Sequence, residues 1–522
     1  MTTDRKTIGA AALCLTLMAG AAHAQGNPQG NTQGNSGGQA AAPQANTGSG
    51  IDLVTLPSPD SPLVAIRLMF DVGSIHDPKG KEGLAALTAQ MISQGSTQKR
   101  SYSELLEAFY PMAAGLGAQP DREVTVFQAL VHRETLADYT ALLQEVMLQP
   151  AFAESDFTRI KQQLQAFLTN GLRSGSDELL GLELMQQAIF EDHPYGHHPA
   201  GTVQGLQSIT LDDVRRFYKE HYTQGNLMLG VAGGYPQGYP ESLAKALAAL
   251  PAGQRGRTEL PPVPKVQGRN FTLVDKQTTA TGIHFGFPLP INRTHPDFYP
   301  LLVANSYLGE HRTFYGRLMQ QLRGKRGLNY GDYSYVEFWP NPPFTDNPLP
   351  GVPRRQQYFS VWIRPVVPSD AQFALRAGLY ELQRLYTRGL TQEDFELTRN
   401  YLVNRKNQWV QSLMTRLGYV MDSRYYGMPY YIDELDKNLR AMTVEDVNRV
   451  VKKYMNPDNY DAVLIATDAS RLRDILQKDE PSPKTYVSEV EKEVTDADKT
   501  IVPLKVKPTS IEVVPVQQVL EK

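Results

Sequence analysis

The chain has 522 residues, more than one hydrophobic core ordinarily organises, so two or more domains are expected. Its composition, 41% hydrophobic and 20% charged, is that of a globular protein. A net charge of −3 supplies no basic field, which removes the compositional argument for a nucleic-acid partner.

In chain order, Arg5 and Lys6 precede an apolar stretch from Ile8 to Gly20, and Ala22-His23-Ala24 places small residues before a cleavage point. These features predict a signal peptide over residues 1–24, removed before Gln25, and a periplasmic address. The apolar stretch is shorter than the roughly 20 residues of a spanning helix, and no later run is long, apolar and uncharged, so no membrane span is expected. Cys14, the single cysteine, lies inside the signal. The mature chain would then have no disulfide, no thiolate chemistry and no cysteine-based zinc site.

Residues 25–50 are Gly-, Gln- and Asn-rich without apolar anchors and read as a disordered linker. Order is expected from Ile51. The β-rich run Leu63–Gly73 predicts a strand. Leu84, Leu87, Thr88, Met91 and Ile92 recur at the spacing of a helix with one buried face, over about Glu82–Ser93. Helices then alternate with strands to about residue 234.

The chain next repeats itself. Thr210-Leu-Asp-Asp-Val-Arg-Arg-Phe-Tyr-Lys through Asn226 aligns without gaps with Thr443-Val-Glu-Asp-Val-Asn-Arg-Val-Val-Lys through Asn459. Each copy opens with a threonine cap before acidic first-turn residues and closes before an apolar strand, Leu227–Ala232 or Ala462–Ala466. The same unit near the end of two similar halves indicates duplication. The expected division is a first domain at 51–259, a Pro-rich hinge at 260–270, a second domain at 271–475 and a tail at 476–522. Trp339–Pro353 reads as a long loop interrupting a hairpin. The tail is charged and Pro-spaced, with at most a strand in the β-rich stretch Ile501–Val506.

Several short motifs in order carry a resemblance. They are Gly83-Leu84-Ala85 followed by Gly95-Ser96-Thr97, His193-Pro194-Tyr195-Gly196 with Gly201-Thr202, the two Asn-ended helices, Arg323 to Tyr330, and Tyr426-Gly427-Met428-Pro429. Over roughly residues 51–475 the chain resembles the insulinase/pitrilysin family of zinc metallopeptidases. The resemblance implies an α+β fold of two homologous domains, each an antiparallel sheet packed with helices. It also implies His-x-x-Glu-His on the helix after Gly-Leu-Ala, in which two histidines hold zinc and the glutamate activates water, with a later Glu as third ligand. Those positions here are Ala86, Ala89 and Gln90, and no Asp or Glu occurs between Asp156 and Asp177, where the third ligand is expected. No metal is therefore expected on this chain. His193, His197 and His198 cluster, but Pro194 and Gly196 make that segment a turn rather than a helix face, so it reads as loop packing.

The family also uses an Arg and a Tyr seven residues apart in the second half, matched here by Arg323 and Tyr330. On residue chemistry alone, Arg323 reads as a solvated helix-end cation and Tyr330 as a half-buried residue beginning a strand. The resemblance gives them substrate binding and transition-state stabilisation. It implies a non-zinc-binding subunit that pairs with a homologous zinc-bearing sibling and contributes to a composite site for peptides, zinc being expected in the partner. The competing readings are a non-enzymatic peptide-binding or scaffold protein, and an independent zinc peptidase using other ligands.

Overall fold

The computed structural model describes residues 50–253, 256–339 and 346–522. The signal peptide and nearly all of the linker expected before Ile51 lie outside the described residues. Two sheets organise the rest. The first contains β1 (Asp52–Pro57), β2 (Leu63–Phe70), β3 (Gly117–Pro120), β4 (Thr125–His132) and β5 (Leu227–Gly233), in the order β1-β5-β2-β4-β3. The second contains β6 (Arg269–Asp275), β7 (Thr281–Leu289), β8 (Asp332–Tyr335), β9 (Gln357–Val366), β10 (Tyr460–Ala466) and β11 (Ser510–Pro515), in the order β11-β6-β10-β7-β9-β8. Without β11, both sheets place their first, fifth, second, fourth and third strands in the same succession. The parallel pair also falls in the same place, β1 with β5 and β6 with β10, and the remaining shared pairings are antiparallel.

The two repeated helices precede equivalent strands. Helix Leu211–His221 is capped by Thr210 and helix Val444–Tyr454 by Thr443, each in a reciprocal box with an aspartate three residues on, Asp213 or Asp446. The architecture is two α+β units of one topology.

Each sheet is buried on both faces. Val64, Ile66, Leu68 and Phe70 of β2 pack on their own half's helices, while Ala65 and Met69 point the other way. That second face is covered by helix Leu413–Tyr426 from the second half, through Leu417, Met421 and Tyr425. Reciprocally, helix Asp177–Ile189 of the first half lies on β7, β10 and β9. Glycines permit both approaches. A Cβ at Gly181 would stand 2.3 Å from the buried His284 ring, and one at Gly230 2.3 Å from Met421 Sδ.

Residues 340–345 of the loop expected at Trp339–Pro353 lie outside the described residues; the stretch that follows, before β9, joins the halves. Buried Arg354 donates through Nε and Nη2 to both oxygens of Asp121, 2.7 Å each, and Arg355 pairs with Glu123. The Pro-rich segment at 260–270 has neither helix nor strand before Arg269, and it is tied to the same loop, because Gln356 Nε2 donates to Pro261 O.

The tail departs from expectation. It carries helix Lys492–Ile501 as well as a strand, and Ile501 closes that helix rather than opening a strand. Val494 and Ile501, seven apart, are its buried face. The strand is β11, parallel to β6 at the sheet edge. Beyond it, the Leu520 and Glu521 carbonyls accept from Val203 N and Gln204 N, and Arg173 Nε donates to Val519 O at 2.9 Å, so the tail also fastens to the first half. Among the described residues no helix is long and apolar enough to cross a membrane.

Candidate functional site

Helix Leu84–Gln94, where the resemblance would put zinc ligands, starts at Gly83 with φ 105°, and Asp77 caps it by accepting from Gly83 N and Ala85 N at 2.7 Å each. His197 Nε2 lies 3.2 Å from Asp77. His193 Nδ1 accepts from Tyr195 N at 3.1 Å and His198 Nδ1 from Ala200 N at 2.9 Å. Each histidine of the cluster is thus engaged locally, and the three do not converge. Burial depresses the affinity of His193 and His198 for protons.

The helix packs against helices Glu154–Ala166 and Leu211–His221 and against β3. Ala86, Ala89 and Gln90 are 1%, 0% and 5% exposed. Gln90 Oε1 accepts from Gln94 Nε2 at 2.6 Å. Asp156, the acid nearest the expected third-ligand position, is held by Ser96 N and Arg159. The residues present therefore do not fit zinc, since donors and open space are both missing. Among the described residues no group of three His, Cys, Asp or Glu side chains is placed to hold a metal ion.

The second-half site is built on a helix end. The turn Met319–Gly324 stops at Gly324, and the chain reverses through Gly327, φ 60°, with Gly327 N donating to Arg323 O and Leu328 N to Leu322 O. Leu322 and Leu328 are buried and anchor both sides. Asn329 then pins the next turn. Its Nδ2 donates to Asp332 Oδ1 at 2.7 Å and to Arg364 O at 2.8 Å, while its Oδ1 accepts from Gly331 N. Tyr330 stands on this turn, 79% exposed. It does not begin a strand and is not half-buried, because β8 starts at Asp332 once the Asn329 clamp has turned the chain.

Arg323 is half-buried, with its guanidinium 5.2 Å from the Phe314 ring centre. No carboxylate pairs with it among the described residues, whereas Arg317, Lys325 and Arg326 nearby bind Glu381, Glu493 and Asp498. No hydrogen bond joins Arg323 to Tyr330. Arg323 lies at the start of the reversal through Gly327 and Tyr330 just after it.

Sequence reasoning missed three neighbours. Phe314 and Tyr315 are 65% and 77% exposed, and Phe314, Met319, Gln320, Arg323, Gly324 and Lys325 line an open cleft. The run Thr313-Phe-Tyr-Gly316 has turn residues around two rings, a signal that could have marked surface aromatics. Asp332 is the third, fully buried two residues after Tyr330. Burial pushes its carboxyl up to about 8, against the opposing Asn329 hydrogen bond and the charges of Arg364 and Arg323. Arg364 in turn binds Glu178 of the first half at 2.6 Å.

Residues 53–202 match the family model described as Insulinase (Peptidase family M16), and residues 208–402 the one described as Peptidase M16 inactive domain. An "Uncharacterized zinc protease" of Rickettsia bellii is 25% identical over 300 residues, 57% of this chain and 69% of that protein. The "Non-peptidase homolog YmxG" of Helicobacter pylori is 22% identical over 398 residues, 75% of this chain and 86% of the relative. Among solved structures, a peptidase M16 inactive domain from Pseudomonas fluorescens superposes with a TM-score of 0.71 at 21% identity, over 81% of this chain and 97% of that one. Two adjoining models of one family, and a fold shared with its solved structures, establish that the chain belongs to the insulinase family, peptidase M16, as a member without the zinc ligands.

Proposed function

We propose that this chain is the metal-free subunit of a heteromeric insulinase-type peptidase, holding peptide and stabilising the reacting carbonyl while a homologous zinc-bearing sibling supplies the metal. The observation that carries the reading is the contrast between the halves. The positions that would hold zinc are buried, yet Tyr330 is exposed on a pinned turn and half-buried Arg323 lines an open cleft. A planar guanidinium without a carboxylate of its own can receive a peptide carbonyl or carboxylate. An outward phenol can donate to the oxyanion formed when water attacks that carbonyl. That the H. pylori relative is named a non-peptidase homolog supports a chain that does not cleave alone. The signal read in residues 1–24 would put this subunit in the periplasm.

The test uses the mature chain mixed with a zinc-bearing family member from the same organism. Arg323→Ala and Tyr330→Phe should each lower turnover of a quenched fluorescent peptide, by about 100- to 1000-fold for the phenol as an oxyanion donor. Co-elution of the two chains should be unaffected, because neither side chain belongs to a buried core. Unchanged turnover in both variants would leave the scaffold reading in its place.

A further inference from the structure

The surroundings of Arg323 name a class of peptide. Phe314 and Tyr315 are exposed although their segment is held firmly. Thr313 N donates to Glu310 O and Gly316 N to Thr313 O, so two successive turns fix the rings outward. Glu310 is itself held by Ser306 at 2.6 Å, and Gly316 packs on Gly309, where a Cβ would come within 3.0 Å of the Gly309 Cα. At the cleft floor, Met319 is buried in a cluster with Tyr333, Tyr335 and Trp362. Large apolar rings displayed on such a rigid base mark a recognition surface rather than a loose loop.

The charges point the same way. Lys325, also at the cleft, is bound by Glu493 and Glu491 from the tail, which leaves Arg323 as the cleft cation without a carboxylate among the described residues. Its guanidinium already rests beside the Phe314 ring, where it loses little freedom on receiving an anion. The two features lie 5.2 Å apart. In an extended peptide, side chains two residues apart share a face and sit roughly 6.6 Å from one another, whereas adjacent side chains face opposite ways.

We propose that this cleft selects extended peptides in which an acidic side chain stands two residues from a large apolar one, the acid meeting Arg323 and the apolar group covering Phe314. The inference rests on the peptide-binding reading above and specifies its substrates. Neither substitution needed for the test touches the core.

The test measures fluorescence anisotropy of four fluorescein-labelled Ser/Gly nonapeptides with the full mature chain. The central residues are Leu-Ser-Glu, Leu-Ser-Gln, Ser-Ser-Glu or Leu-Glu-Ser. Leu-Ser-Glu should bind roughly tenfold more tightly than each of the others. Arg323→Gln should erase the preference for Glu over Gln, and Phe314→Ala the preference for Leu over Ser while keeping that for Glu. Equal binding of all four probes by the wild type overturns the selectivity and leaves peptide binding standing. A preference for Leu over Ser that survives Phe314→Ala, or one for Glu over Gln that survives Arg323→Gln, overturns the assigned contacts. Binding of none, alone or with the zinc-bearing sibling, overturns both readings.

Discussion

Asp332, two residues after Tyr330, shows how burial sets the chemistry of a side chain. Its carboxyl is buried, one oxygen takes the Asn329 amide, and burial pushes its pKa from the ordinary carboxylate range up to about 8. A carboxyl raised on folding favours the folded state below its unfolded value and loses that contribution as pH rises toward the folded one. Asp332→Asn keeps an acceptor for Asn329 and removes the ionisation. Its stability relative to wild type, from urea unfolding, should therefore increase between pH 4 and pH 8 by a few kcal/mol and then level off. A difference independent of pH would mean that Asp332 is not the buried titrating group. The former zinc positions allow a second residue-scale prediction. Ala86→His, Ala89→Glu and Gln90→His together insert volume and a charge into a closed helix contact, and overpacking alone costs about 1–3 kcal/mol per site. The triple variant should melt at a lower temperature and show no zinc-dependent cleavage, since the third acidic ligand is also absent. Robust zinc-dependent activity would contradict the account. That positions 86, 89 and 90 lack zinc-ligand side chains was legible beforehand, because an alanine cannot ligate a metal in any geometry. The display of Phe314, Tyr315 and Tyr330 was not, because aromatic residues in sequence usually signal a core, and only the Asn329 clamp and the turns at Thr313 decide otherwise.

At the scale of elements, the duplicated threonine-capped helices were readable from their offsets, and through them the repetition of the two sheets. The exchange of helices 177–189 and 413–426 was not readable. A periodic pattern shows which face of a helix is buried, but not which sheet receives it. The tail misled for a related reason, since Val494 and Ile501 serve a helix face and Pro503 lies just beyond it. The exchange makes a prediction against propensity. Alanine is the better helix former than glycine by about 1 kcal/mol on an open helix. At Gly181 its Cβ would meet the buried His284 ring at 2.3 Å, so Gly181→Ala should destabilise instead. Denaturant unfolding gives the sign directly, and a rise in stability would show that helix 177–189 does not seat on β7 as described.

The whole molecule is two equivalent halves clasped by exchanged helices, by the Arg354–Asp121 and Arg355–Glu123 pairs, and by a tail that bonds to both. Such pairs are costly to leave half-made, so the loop that bears Arg354 is a structural fastening. The asymmetry between the halves carries the functional account, one with its metal positions closed and the other presenting an arginine and a tyrosine. The most direct test measures zinc content and peptide turnover of the mature chain alone, of the zinc-bearing sibling alone, and of their mixture. The account predicts a metal-free, inactive chain that raises the sibling's turnover only while Arg323 and Tyr330 are intact. A chain that cleaves alone with bound zinc, or one that never alters the sibling's activity, would contradict it.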